Sequence, residues 1–175
     1  SANDAGQLYQ HLSQGYELID ELEFQSQEVR RILLYGLHTS DANLQLQYAE
    51  QSRAAGALVQ MALGDAAGVI TAPGGAARIE AVSRAWRSYL VVRDDVIGLI
   101  LEGSLREGVA LDERGGTDRF NAVRQAIADL KRTFEADATA QVGAARTRAT
   151  RATIRLMLMV ASALIAAAVG IYLIN

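Results

Sequence analysis

Cysteine is absent from the 175 residues, and proline occurs once, at Pro73. The first absence excludes disulfides and thiolate metal sites. The second leaves long helices uninterrupted, and no apolar/polar alternation lasts more than a few positions, which argues against strands. Histidine is nearly missing too. His11 and His38 fall near opposite ends of one helical stretch, about 40 Å apart if it is straight, too far to share a metal. Glycines stand singly or as turn pairs with no GxGxxG or Walker spacing, so nothing cradles a nucleotide. Asp20, Glu21 and Glu23, like Asp94 and Asp95, read as solvated helix faces rather than as an acid/base pair. The expectation is a chain with no catalytic residues, no cofactor and no metal, and not an enzyme.

Charge is what the end of the chain lacks. Leu156 to Ile174 is nineteen residues without a single charge, preceded by Arg146, Arg148, Arg151 and Arg155. An apolar helix of about 20 residues matches the hydrocarbon core of a bilayer, so 156–174 is expected to be a transmembrane helix. Residues 1–137 hold all 20 acidic residues, and 138–175 hold four arginines and no acid. That places the basic run beside lipid headgroups, and interleaved aromatics are too few to favour nucleic acid. The first residues show no initiator Met, basic n-region or apolar h-region. The chain reads as a piece of a longer protein.

Ahead of the span, apolar residues recur at steps of three or four. The first stretch, about 4–38, carries Leu8, Leu12, Tyr16, Ile19, Leu22, Val29 and Leu33 on one face. Gly36 to Ser40 is expected to break it, with Gly36 near the C-cap and Thr39, Ser40 or Asp41 capping the next helix. The second stretch, about 41–70, places Leu44, Tyr48, Ala55, Val59, Ala62, Ala66 and Val69 together, and ends at Thr71-Ala72-Pro73-Gly74-Gly75. The third, about 76–102, carries Ile79, Val82, Trp86, Tyr89, Val96 and Ile100. Ser104-Leu105-Arg106-Glu107 has the form of a capping box, opening a short helix expected to stop at Gly115-Gly116. From Thr117 or Asp118 a last stretch carries Phe120, Val123, Ile127, Leu130 and Phe134 and meets no break before Leu156. The fold predicted is all-α: an antiparallel up-down-up-down four-helix bundle over 4–155, its last helix continuing into the membrane span.

Two groups of side chains are candidates for a site. Arg30 and Arg31 fall toward the end of the first helix, near Thr117, Arg119 and Phe120 at the start of the last. They suit forked hydrogen bonds to a carboxylate ligand, or else pairing with Glu28 or acids of a neighbouring helix. Trp86 and Tyr89, three apart, serve either as core or as the wall of a ligand pocket.

The run Glu28-Val29-Arg30-Arg31-Ile32-Leu33-Leu34-Tyr35-Gly36-Leu37-His38-Thr39-Ser40-Asp41, with Trp86 to Tyr89, Arg93-Asp94 and Glu102-Gly103, resembles the four-helix-bundle sensor domain of methyl-accepting chemotaxis proteins and related bacterial sensor histidine kinases. The resemblance spans nearly the whole chain. It implies a homodimeric periplasmic sensor of the bacterial inner membrane that binds a small organic or amino acid and feeds a two-component or chemotaxis pathway. It also implies arginines of the first helix as ligand contacts, with Arg30 and Arg31 the nearest matches.

Overall fold

The computed structural model describes the backbone of residues 2–174, and side chains over 6–144 and at scattered positions up to Ser162. Among the described residues the chain is helical and contains no strand. The helices are α1 (Ala2–His38), α2 (Ala42–Val69), α3 (Gly75–Leu101), α4 (Leu105–Leu111) and α5 (Thr117–Ile174), with a π-helical turn at Asp112–Gly116. The chain divides into two compact units, Ser1–Asp137 and Ala138–Asn175. Among the described residues no helix is long and apolar enough to cross a membrane; the expected span, 156–174, lies for most of its side chains outside them.

Local chemistry explains the boundaries, and corrects three expectations. α1 runs through Gly36 to His38, so Gly36 is a buried helix position and not a cap. A Cβ there would stand 3.3 Å from Ile100 Cδ1, and the glycine thus allows close helix packing. Asp41 is the N-cap of α2, its carboxylate accepting from the amides of Asn43 and Leu44. Gly74, with φ of 80°, completes the reversal after Pro73. Gly103, with φ of 78°, ends α3: its amide donates to the Ile100 carbonyl, and the Ser104 amide donates to the Leu99 carbonyl at 2.8 Å, a Schellman ending. That bond defeats the capping box, because the Ser104 amide that Glu107 would need is already taken. The Ser104 side chain makes no cap hydrogen bond.

The third correction lies at Gly115-Gly116. Both glycines stay out of the left-handed region, and the helix does not stop but widens into the π turn and goes on as α5.

Leu22, Val29, Leu33, Val59, Trp86, Ile127, Leu130 and Phe134 are all buried, as their spacing predicts. They belong to two apolar clusters. The larger runs from Ile19 to Ile32 on α1 and takes in Val59, Trp86, Tyr89 and Leu130; the smaller gathers Leu33, Leu37, Ala49, Val96 and Ile100. Polar groups are set among them: Arg30 falls within the larger cluster's stretch of α1, Arg93 within the smaller cluster's stretch of α3, and Ser52 between the two on α2. The Ser52 hydroxyl donates to the Val29 carbonyl at 3.4 Å, and Arg93 Nη1 donates to the Ser52 carbonyl at 3.2 Å. Along α2 the buried residues are Gln45, Ala49, Ser52, Ala55, Gly56, Val59, Ala62, Leu63 and Ala66, so Ala55, Val59, Ala62 and Ala66 are inside as expected, while Tyr48 and Val69 are only partly buried. Leu44, expected inside, is exposed, and its neighbour Gln45 turns in to donate to the Thr39 carbonyl at 2.8 Å.

Packing is close where the Phe134 ring lies on Gly15. A Cβ at Gly15 would overlap that ring, which is held edge-on by Tyr16 at 5.0 Å between centroids. Gly15→Ala is therefore expected to lower stability by about 1–2 kcal/mol, overpacking outweighing the gain in helix propensity. Gly64→Ala, in open space on α2, should raise stability by about 0.5–1 kcal/mol. Urea unfolding followed by helical circular dichroism checks both, and a Gly15→Ala chain as stable as wild type would contradict the contact.

Candidate functional site

Five residues were expected to contribute to a site: Arg30, Arg31, Trp86, Tyr89 and Arg119. The structure brings three of them together. The Arg30 guanidinium reaches from α1 to the π turn, pairing Nη1 with Asp112 Oδ1 and placing Nη2 2.7 Å from Asp112 Oδ2. Nη2 also donates to Thr117 Oγ1 at 3.0 Å, and the guanidinium carbon lies 5.8 Å from the centre of the Phe120 ring. The side chains of Arg30 and Asp112 are only 12% and 8% exposed. A forked pair so little exposed is costly to break, because removing either partner strands a buried charge. Burial acts to lower the Arg30 pKa, but the hydrogen bonds and charge of Asp112 outweigh it and leave the pKa raised.

Tyr89 stands between this pair and the core. Its ring packs on Phe120 at 5.3 Å and on Trp86 at 5.6 Å. Both side chains are fully buried, yet the Trp86 Nε1 and Tyr89 hydroxyl groups make no hydrogen bond to the protein. The Tyr89 hydroxyl lies near enough to Arg30 to feel its charge without reaching hydrogen-bond geometry. Burial is the largest influence and pushes the phenol up to about 12, against the opposing pull of Arg30.

Arg31 and Arg119 are not part of this interior group. Arg31 is on the exposed side of α1, forked onto Glu28 with Nε 2.9 Å from Oε1 and stacked on Tyr35. Arg119 turns back along its own helix to the Gly115 carbonyl at 3.3 Å. Arg31 does share with Arg30 a cleft of about 320 Å³, whose other walls are Gln27, Leu34, Phe120 and Arg124. Three arginines from α1 and α5 thus face one opening. Glu28 and Asp112 pair with two of them, whereas Arg124 has no acidic partner among the described residues.

Sequence reasoning placed Thr117 near Arg30 and missed Asp112 and Arg124. Asp112 was hidden by the expectation of a helix end beside it, and Arg124 gives no local sign because its neighbours across the cleft are some ninety positions away. Among the described residues no cluster of His, Cys, Asp or Glu could hold a metal. No family model matches the chain, and neither the curated proteins nor the solved structures contain a match.

The Tyr89 phenol supplies a test. Its pKa is raised in the fold, so the unfolded chain releases the proton first as pH rises past 10; stability present below pH 10 is lost toward pH 12. Tyr89→Phe, which also removes an unpaired hydroxyl, is expected to be at least as stable as wild type at neutral pH. Between those pH values wild type should lose on the order of 2 kcal/mol more than the variant, measured by urea unfolding across the range. Parallel losses in the two chains would contradict this placement of the hydroxyl.

Proposed function

We propose that the chain is the signal-sensing region of a bacterial transmembrane receptor, with a sensor histidine kinase of a two-component system as the leading assignment and a chemoreceptor as the alternative. The observation that carries the reading is the placement of Arg30. One guanidinium lines a cleft shared with Arg31 and Arg124 and also grips the turn that opens the last helix. A small organic or amino acid carboxylate suits the cleft, because guanidinium groups bind carboxylates through paired N–H donors.

In this reading residues 4–155 are extracytoplasmic, 156–174 cross the inner membrane, and two copies pair as a homodimer. Helices α1, α2, α3 and α5 form an up-down-up-down bundle. Residue pairs support that arrangement: along α1, Tyr16 meets Phe134, Asp20 meets Lys131 and Arg30 meets Thr117, so the two numberings run in opposite directions. Ligand binding transmits by displacing α5, because a ligand shifts an equilibrium between two arrangements only through its different affinity for each.

A second reading, a dimerisation module without a small ligand, is favoured by one observation: Arg30 and Arg31 are already paired with Asp112 and Glu28.

Trp86 is the sole tryptophan and lies against Tyr89, which makes it an internal reporter of the Arg30 group. Succinate and aspartate are the first probes, with chloride at equal ionic strength as control. A carboxylate that binds the cleft should change Trp86 emission saturably and, at about 100 times its dissociation constant, stabilise the fold by about 2.7 kcal/mol. Arg124→Gln should abolish both effects without unfolding the chain. A panel of carboxylates that leaves emission and melting temperature unchanged would transfer support to the dimerisation module.

A further inference from the structure

The geometry points to the π turn Asp112–Gly116 as a two-register element that Arg30 clamps in its wide form and that tightens to α when Arg30 is drawn elsewhere. The Thr117 amide donates to the Asp112 carbonyl, a bond spanning five residues in place of the four of an α-helix. That spacing stacks residues 112 and 117, and the same guanidinium holds both side chains, Asp112 with a fork and Thr117 Oγ1 at 3.0 Å. In an α-helical register residue 112 would stack over 116 instead, and one side chain could not clasp 112 and 117 in this way.

The turn is built for a slip. Leu111, Asp112 and Thr117 all keep right-handed helical dihedrals, with φ between −69° and −60° and ψ between −46° and −42°. Passing between registers therefore exchanges hydrogen bonds without crossing a steric barrier of handedness. Gly116 is required by the wide form, since a Cβ there would overlap the Asp112 carboxylate. A slip of one residue moves the helix before the turn by about 1.5 Å along the axis relative to the helix after it.

Arg30 is the joint between this element and the cleft, because its guanidinium belongs to both. An anion seated in the cleft competes with Asp112 for the same N–H donors, and the clasp on the turn loosens as the anion takes them. This trigger, though not the two-register turn itself, rests on the ligand reading given above.

Residue-resolved amide hydrogen exchange on the full chain tests both parts. Thr117→Val should speed exchange of the amide at position 117 about tenfold relative to its intrinsic rate while leaving the Val59 and Leu130 amides unchanged, and Asp112→Asn, which also strands the Arg30 charge, should speed it about tenfold beyond any change at Val59 and Leu130. Deleting Gly116 removes the extra residue; that chain should stay helical, and adding Asp112→Asn to it should then leave Thr117 exchange unaltered. Wild-type exchange at Thr117 in both single variants overturns the two-register turn, even if the deletion fails to fold. Succinate should speed the Thr117 amide of wild type as the variants do. Faster exchange in the variants with no effect of any carboxylate keeps the turn and removes the ligand cleft. Succinate binding seen at Trp86 with no change at Thr117 keeps the cleft and overturns the trigger.

Discussion

The forked pair between Arg30 and Asp112 is the constraint around which the rest of the first unit is arranged. Both groups are nearly withdrawn from water, and neither can stay there alone, because removing one partner leaves an uncompensated charge. α1 therefore has to present residue 30 where the α4–α5 junction presents residue 112, and that junction is a wide turn with glycine at 116. Apolar packing closes around these groups: Val29 and Ile32 of the larger cluster flank Arg30 along α1, and Val92 and Val96 of the smaller flank Arg93 along α3.

A polar level inside a helical core restricts how the helices slide past one another. Leucine and valine stripes pack nearly as well one turn up or down, whereas a guanidinium that must meet a carboxylate and a threonine has one satisfactory depth. Arg93 acts likewise. Its Nε and Nη2 donate to Asp94 Oδ1 on the same helix, its Nη1 bond to the Ser52 carbonyl ties α3 to α2, and Gly56 admits the guanidinium beside it.

What could be read from the residues was the periodic part. Leu22, Val29, Leu33, Val59 and Leu130 declare a helical face because their burial is worth about 1.5–3 kcal/mol each and leaves a pattern of three and four. On α2 the pattern found Ala55, Val59, Ala62 and Ala66 but not Gln45, Ser52 and Gly56, which are buried for hydrogen bonding and close approach that hydropathy does not register. Gly36 and the Gly115-Gly116 pair looked like breaks because glycine is the common residue at helix ends. Here the missing Cβ makes room for Ile100 and for the Asp112 carboxylate. The capping box failed because a backbone bond to Leu99 had a prior claim on the Ser104 amide. Of the candidate site, Trp86 and Tyr89 were legible as large aromatics on an apolar face and Arg30 as a cation near the end of α1, while Asp112 and Arg124 were not, since neighbours some eighty to ninety positions apart leave no local mark.

The cleft and the core meet in a single side chain, and on the ligand reading proposed above this limits what the cleft could respond to. Arg31 and Arg124 are exposed, so an anion that touched only them would exchange water for protein at the surface and leave the interior as it was. Arg30 differs because its donors are already committed to a buried acid and to Thr117. Any group that takes those donors must be charged, must approach within hydrogen-bond distance, and must repay the loss of a pair held in low dielectric. On the ligand reading proposed above, such an exchange would select for carboxylate-like anions over neutral molecules of the same shape, and would couple their binding to the π turn, where among the described residues the helical hydrogen-bond register departs from α.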